Sequence, residues 1–150
     1  TFRKMGEDAV DKAIETGGLD RKPSASRSMR FHGFPETEPE ADSPLKFYGS
    51  DAARIIALIR DQPELGEHIH PNLSYTWAEV LWSIREELAE SVEDVLARRT
   101  RALFLDARAA MEVAPQIGQF IAKERNFDDH WAADSVESFI AVARNYYRQS

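Results

Sequence analysis

The 150-residue chain is 43% hydrophobic and 30% charged with a formal charge of −7, a balance that excludes disorder throughout and suits one domain with its own core. It has no cysteine, which excludes disulfides, thiolate zinc sites and a cysteine nucleophile and fits a reducing cytosol. The acidic balance argues against nucleic acid as a partner, no apolar run approaches the roughly 20 residues that cross a bilayer, and no signal peptide is visible.

The first element is a helix over residues 1 to 16. Phe2, Met5, Val10, Ala13 and Ile14 recur at helical spacing, Thr1 is placed to cap the first turn, and Gly17-Gly18 supplies a stop. Because the chain opens on Thr-Phe-Arg-Lys, directly in helical periodicity, it is expected to be a piece of a longer protein. Residues 18 to 45 have loop composition, with Pro23, Pro35, Pro39 and Pro44 among Ser, Asp, Glu and Gly. Within them "SMRFHGF" alternates enough for a short extended piece, and the acid-rich run from Pro35 to Pro44 is expected to be solvated.

From there the pattern is helical almost to the end, and no segment reads as a sheet-forming strand. "DAARIIALIRDQ" is stopped by Pro63, and Thr76 or Ser74 can cap "WAEVLWSIREELAE". There Trp77, Val80, Leu81, Ile84 and Leu88 form an apolar stripe, with Trp82 one step off it. Ser91-x-x-Asp94 has capping-box form. The long segment that follows contains Pro115, so a kink or boundary is expected near residues 111 to 115. The last helix runs from about Asp129 to Tyr147, with Trp131, Val136, Phe139, Ile140, Ala143 and Tyr147 inward. The fold class is all-α: a compact bundle of about five to six helices with a long proline-rich loop after the first.

Arg98, Arg99 and Arg101 are the most conspicuous charged cluster. Helical geometry puts Arg98 and Arg101 on one side and Arg99 about 100° away, with Asp94 four residues before Arg98 as a partner. No glycine-rich backbone or helix N-terminus accompanies them to favour a phosphate, so structural ion pairs or an interdomain contact are the expected role. His68 and His70 can share a metal only on extended backbone and lack a third ligand at a convincing spacing; a local turn before Pro71 is favoured. His32 and His130 stand alone. None of the common glycine-rich, nucleophile-elbow or paired-histidine motifs occurs, and no catalytic residue is assigned.

"TFRKMGEDAVDKA", "HPNLSYTWAEVLWSIREELAESVEDVLARRTRALFLDARAA" and "VAPQIG" together resemble the C-terminal domain of the FAD-dependent glycerol-3-phosphate dehydrogenases and the related alpha-glycerophosphate oxidases. The resemblance implies that residues 1–17 lead out of a flavin-binding domain, that residues 18–45 are a proline- and acid-rich connection, and that residues 46–150 form a helical accessory domain. It implies FAD, the glycerol phosphate site and the catalytic residues in the preceding domain, with none of them in these 150 residues. Thr1-Phe2-Arg3 matches the end of a family segment whose helix starts near the flavin, which makes Thr1 the one flavin-proximal position. The helix dipole there would stabilise the reduced flavin by about 0.3–2 kcal/mol.

By the same resemblance the whole oxidoreductase would convert sn-glycerol 3-phosphate to dihydroxyacetone phosphate and pass electrons to quinone. It would sit peripherally on the cytoplasmic face of the inner membrane, with no membrane insertion by this domain. The alternative expectation is a non-catalytic interaction or dimerisation module, a homodimer covering Phe2 and Met5. A metal-dependent enzyme using His68 and His70 is the third.

Overall fold

The computed structural model describes residues 2–35 and 43–147. The first helix, α1 (Phe2–Gly17), forms with no buried residue. Ion pairs along its own surface support it, including Arg3 with Glu7 at 2.6 Å, and Arg3 also donates to the Ser26 hydroxyl at 3.0 Å. The expected Thr1 cap and the acidic run 36–42 lie outside the described residues. The "SMRFHGF" stretch forms turns instead of an extended strand. Its end is tied down where the Ser50 N–H donates to the Gly33 carbonyl at 3.1 Å. Gly49 allows that approach, since a Cβ there would overlap the same carbonyl and its φ is +54°.

A short 3₁₀ segment, Lys46–Asp51, leads into α2 (Ala52–Asp61), and a second, Pro63–Gly66, leads into two strands. The strands β1 (His68–His70) and β2 (Leu73–Thr76) pair antiparallel, with His68 opposite Thr76, His70 opposite Leu73 and an irregularity between them. This hairpin corrects the expectation of no strands. Three and four residues are too short for a period of two to stand out, but Ile69 and Leu73 turn inward and are buried.

The helix α3 (Trp77–Arg85) starts directly after β2. The Thr76 N–H donates to the Glu79 carboxylate at 2.8 Å, and the Thr76 hydroxyl donates to the same oxygen at 3.1 Å. The helix ends a turn earlier than the apolar stripe suggests. Leu88 falls beyond it, with φ +57° and 74% exposure. A left-handed turn at Leu88 lets the Ala89 N–H close back on the Ser83 carbonyl at 2.9 Å. Two remote guanidiniums join it: Arg125 donates to the Ile84 carbonyl at 2.7 Å, and Arg99 donates to the Glu87 carbonyl at 3.0 Å. Both supply partners to the backbone where α3 ends.

Residues Asp94–Arg99 form a π-helical stretch, closed where the Thr100 N–H and hydroxyl both donate to the Val95 carbonyl, at 3.0 and 2.8 Å. The chain then breaks at Arg101, whose φ is +60°, makes the single turn α4 (Ala102–Leu105), and breaks again at Asp106 before α5 (Ala107–Arg125). Asp106 caps α5 by accepting from the Ala109 N–H at 2.9 Å. Pro115 lies inside α5 without ending it, so the boundary expected at 111–115 falls at 101–106 instead. Pro115 is on the exposed face, where water can meet the carbonyl it leaves unpaired. Val113, Ala114, Ile117 and Ile121 on the buried face hold the helix against the core.

The last helix, α6 (Asp129–Ala143), is capped by Asp128, which accepts from the Trp131 N–H at 2.8 Å. It stops short of Tyr147, which is exposed. Phe139 and Ala143 point inward as expected, and Ala132 joins them.

Two apolar clusters result. The larger runs through β1, β2, α3, the π-helical stretch, α5 and α6. The smaller gathers Leu45, Ile55, Leu65, Ala78, Leu81 and Trp82, so Trp82 is core despite lying off the stripe. Trp77 and Phe120 touch both clusters, their rings 5.1 Å apart, and weld the two halves.

Candidate functional site

The structure separates the three arginines. Arg98 is spent locally, donating to Asp94 and Glu93 at 2.6 Å each on the surface. Burial works against ionisation of Asp94, but the Ser91 hydroxyl, the Glu90 N–H and Arg98 outweigh it and hold its carboxyl below the usual range. Arg99 is half-buried and turns the other way, onto the Glu87 carbonyl, with its Nε 3.8 Å from the Glu87 carboxylate. Arg101 shares no face with Arg98. The π-helical register and the left-handed backbone turn it onto Phe104, 5.8 Å from the ring centroid. Among the described residues it has no carboxylate partner.

Arg99 and Arg101 meet residues from remote segments around a cleft of about 650 Å³. The 3₁₀ segment after Pro44 contributes Phe47 and Tyr48, the β2–α3 junction contributes Tyr75 and Glu79, and the turn after α3 contributes Glu87. Phe104 and Leu105 of α4 form the rim beside Arg101.

The floor is built on Glu79, only 4% exposed. Burial pushes its carboxyl above the usual range, against the pull of the Thr76 N–H and hydroxyl, the Tyr48 hydroxyl and the charge of His68. The Tyr48 hydroxyl lies 3.3 Å from Glu79 and donates to it. Burial first, and the Glu79 charge second, drive the Tyr48 phenol far above its ordinary value, so it stays a donor. Burial likewise raises the Glu87 carboxyl, opposed by Arg99. The floor is therefore internally satisfied, and the uncommitted charge belongs to Arg101 at the mouth.

Glu79 gives a pH-dependent expectation. Its folded pKa lies above the unfolded one, so its contribution to stability is complete below the unfolded carboxylate value and is lost as pH rises through the folded value. Glu79→Gln keeps an acceptor oxygen for Thr76 and offers its amide N–H to the Tyr48 hydroxyl oxygen, but does not titrate. Denaturant midpoints of variant and parent should therefore diverge in the variant's favour as pH is raised from 4 towards neutrality. A difference constant with pH would refute the charge penalty.

His70, His32 and His130 each meet a single carboxylate. His70 Nε2 is 3.1 Å from Glu112, and its Nδ1 accepts from the Asn72 N–H at 3.1 Å. His32 contacts Asp51 at 2.7 Å and His130 contacts Asp134 at 3.0 Å. Among the described residues no group of three or more histidines and acids is placed to hold a metal ion, and no helix is long and apolar enough to cross a membrane. Thr1 lies outside the described residues.

Sequence reasoning missed Glu79, Tyr48, Tyr75 and Glu87 as cleft residues. The spacing Thr76-x-x-Glu79 is a capping-box signature that points to Glu79. Nothing in the sequence brings Tyr48 to it.

The profile of the C-terminal domain of alpha-glycerophosphate oxidase matches residues 14–132. The chain is also similar to curated relatives. It is 28% identical to the mitochondrial glycerol-3-phosphate dehydrogenase of Macaca fascicularis and 27% identical to that of Homo sapiens, each match covering 92% of this chain and 22% of the relative. It is 29% identical to the mitochondrial glycerol-3-phosphate dehydrogenase SDP6 of Arabidopsis thaliana, over 85% of this chain and 25% of the relative. The matches thus span about a fifth to a quarter of the length of these relatives. No solved structure matches it.

Proposed function

Since the chain belongs to the family of C-terminal domains of alpha-glycerophosphate oxidase, we propose that it is the accessory helical domain of an FAD-dependent glycerol-3-phosphate dehydrogenase. The observation that carries this reading is the family match from within α1 to the start of α6. The whole protein would oxidise sn-glycerol 3-phosphate to dihydroxyacetone phosphate and pass the electrons to quinone, peripherally on the cytoplasmic face of the inner membrane. Residues 1–17 would lead out of the flavin domain, 18–45 would connect, and 46–150 would be the accessory unit.

FAD belongs to the preceding domain on this reading. The described residues do not suit it by themselves, because their strands form one antiparallel hairpin and no strand–glycine turn–helix unit cradles a pyrophosphate. No step of the chemistry is routed through them. What this chain supplies is rigidity: Arg98 ties together the residues that open the π-helical stretch, and Arg99 clamps that stretch to the turn after α3. Thr1 is the proposed flavin-proximal position.

The test is the longer protein that carries this chain at its C-terminal end. Purified, it is expected to show a flavin absorbance band and to reduce a soluble quinone analogue only when glycerol 3-phosphate is added. A protein without flavin and without that dependence defeats the proposal.

A second reading is favoured by α1, where Phe2, Met5 and Val10 are exposed and nothing is buried. It is a dimerisation module in which two copies cover that helix. Light scattering over a range of concentrations decides it, since a particle of single-chain mass throughout excludes a dimer.

A further inference from the structure

Three features of the cleft mouth coincide. Arg101 holds the left-handed backbone conformation at φ +60°, which disfavours a non-glycine residue and persists only where the surrounding structure enforces it. Its guanidinium has no carboxylate partner among the described residues, although every acid of the cleft floor is matched within it. Beside it the rim is apolar and open: Phe47 is 88% exposed, Phe104 52% and Leu105 69%. Phe47 and Phe104 come from segments far apart in sequence and face one cleft. A cation beside an aromatic slot is complementary to an acidic residue with an apolar neighbour.

We propose that this cleft receives a segment of the polypeptide preceding the domain, a carboxylate of that segment pairing with Arg101 while an adjacent apolar side chain enters between Phe47 and Phe104. The occupant follows from charge and length. Counted with Arg101 at its mouth, the cleft sets two carboxylates, Glu79 and Glu87, against two guanidiniums, Arg99 and Arg101. Arg101 is the one of the four with no hydrogen-bonded partner among the described residues, so an incoming carboxylate meets that cation in a cleft without net negative charge. The relatives extend several times beyond the matched region, and the matching family profile describes a C-terminal domain, which puts additional chain on the N-terminal side. The inference rests on the proposal that this chain is the C-terminal part of a longer protein, and it assigns Arg101 a role that Arg98 and Arg99 do not share.

The experiment uses the full-length protein with the photoreactive residue p-benzoylphenylalanine substituted at Phe47, which touches no core. After irradiation, mass spectrometry is expected to find Phe47 joined to a peptide from before Thr1 that contains Asp or Glu, within a band of single-chain mass. Arg101→Gln should lower that yield about tenfold, whereas Arg98→Gln, on the outward surface, should leave it within about twofold. A crosslink to residues 36–42 of the same chain, a crosslink to a second copy, or a yield indifferent to Arg101→Gln would each overturn the proposal. Flavin content and glycerol phosphate oxidation, read on the same preparation, keep the two proposals separate. A crosslink without activity sinks the assigned reaction alone, and activity without the crosslink sinks the docking alone.

Discussion

Phe139→Ala is expected to lower the free energy of unfolding by about 3–5 kcal/mol, the largest single loss among the substitutions considered. Phe139 is wholly inaccessible and is the largest fully buried side chain among the described residues. It belongs to the larger cluster and lies on α6, the helix that packs against α5. Removing the ring forfeits its transfer free energy and leaves a cavity that the surrounding helices fill only in part. A whole domain of this size is stabilised by about 5–15 kcal/mol, so the loss consumes a large fraction of it. Denaturant unfolding followed by helical circular dichroism checks the figure. Phe31→Ala, at a residue 82% exposed, serves as the control and should stay within about 0.5 kcal/mol. Equal midpoints for the two variants would mean that α6 does not pack as described.

The second large effect is opposite in kind, an added methyl. Gly118→Ala improves helix propensity by about 1 kcal/mol, and on that ground alone it would stabilise. Packing decides otherwise. A Cβ at Gly118 would lie 2.7 Å from Val136 Cγ2 and 3.2 Å from the Ala132 carbonyl oxygen, so α5 and α6 could no longer approach as they do. Overpacking of this sort costs about 1–3 kcal/mol, and the carbonyl belongs to backbone that cannot swing away. The expected result is a net loss of stability for Gly118→Ala. Val136→Ala placed in the same chain should recover part of it, because the two substitutions share one contact and are not additive. A Gly118→Ala variant more stable than the parent would show that the two helices have room to separate.

The helices themselves were legible because each carries its own local signals. Apolar spacing and the Gly17-Gly18 stop marked α1, Pro63 marked the end of α2, and Thr76 marked the start of α3. The apolar stripe of α6 named Phe139 and Ala143 before any packing was known. The candidate site was legible only in part. Arg98, Arg99 and Arg101 stand out as a cluster, and straight helical geometry pairs Arg98 with Asp94 and turns Arg99 away from it, but it wrongly puts Arg101 on the face of Arg98. A π-helical register and one left-handed residue separate them, and neither leaves a periodicity to read. Tyr48 and Glu79 are 31 positions apart, and nothing local in either segment reports the other.

The sequence by itself determined that this chain would be helical, where most helices would begin and which faces would be apolar, because propensity, capping and the 3.6-residue period act over a few neighbouring residues. Through its long specific motifs it also determined the family. Only the tertiary structure decided where α3 ends and how closely α5 and α6 approach at Gly118. It also decided that Pro115 is tolerated and that Arg101 turns outward while Arg99 turns in. Those outcomes depend on contacts between separate segments, such as Arg125 on the Ile84 carbonyl, 41 residues away, and Arg99 on the Glu87 carbonyl, 12 residues away. In each case a distant side chain met a backbone group that local propensity alone would have left to water.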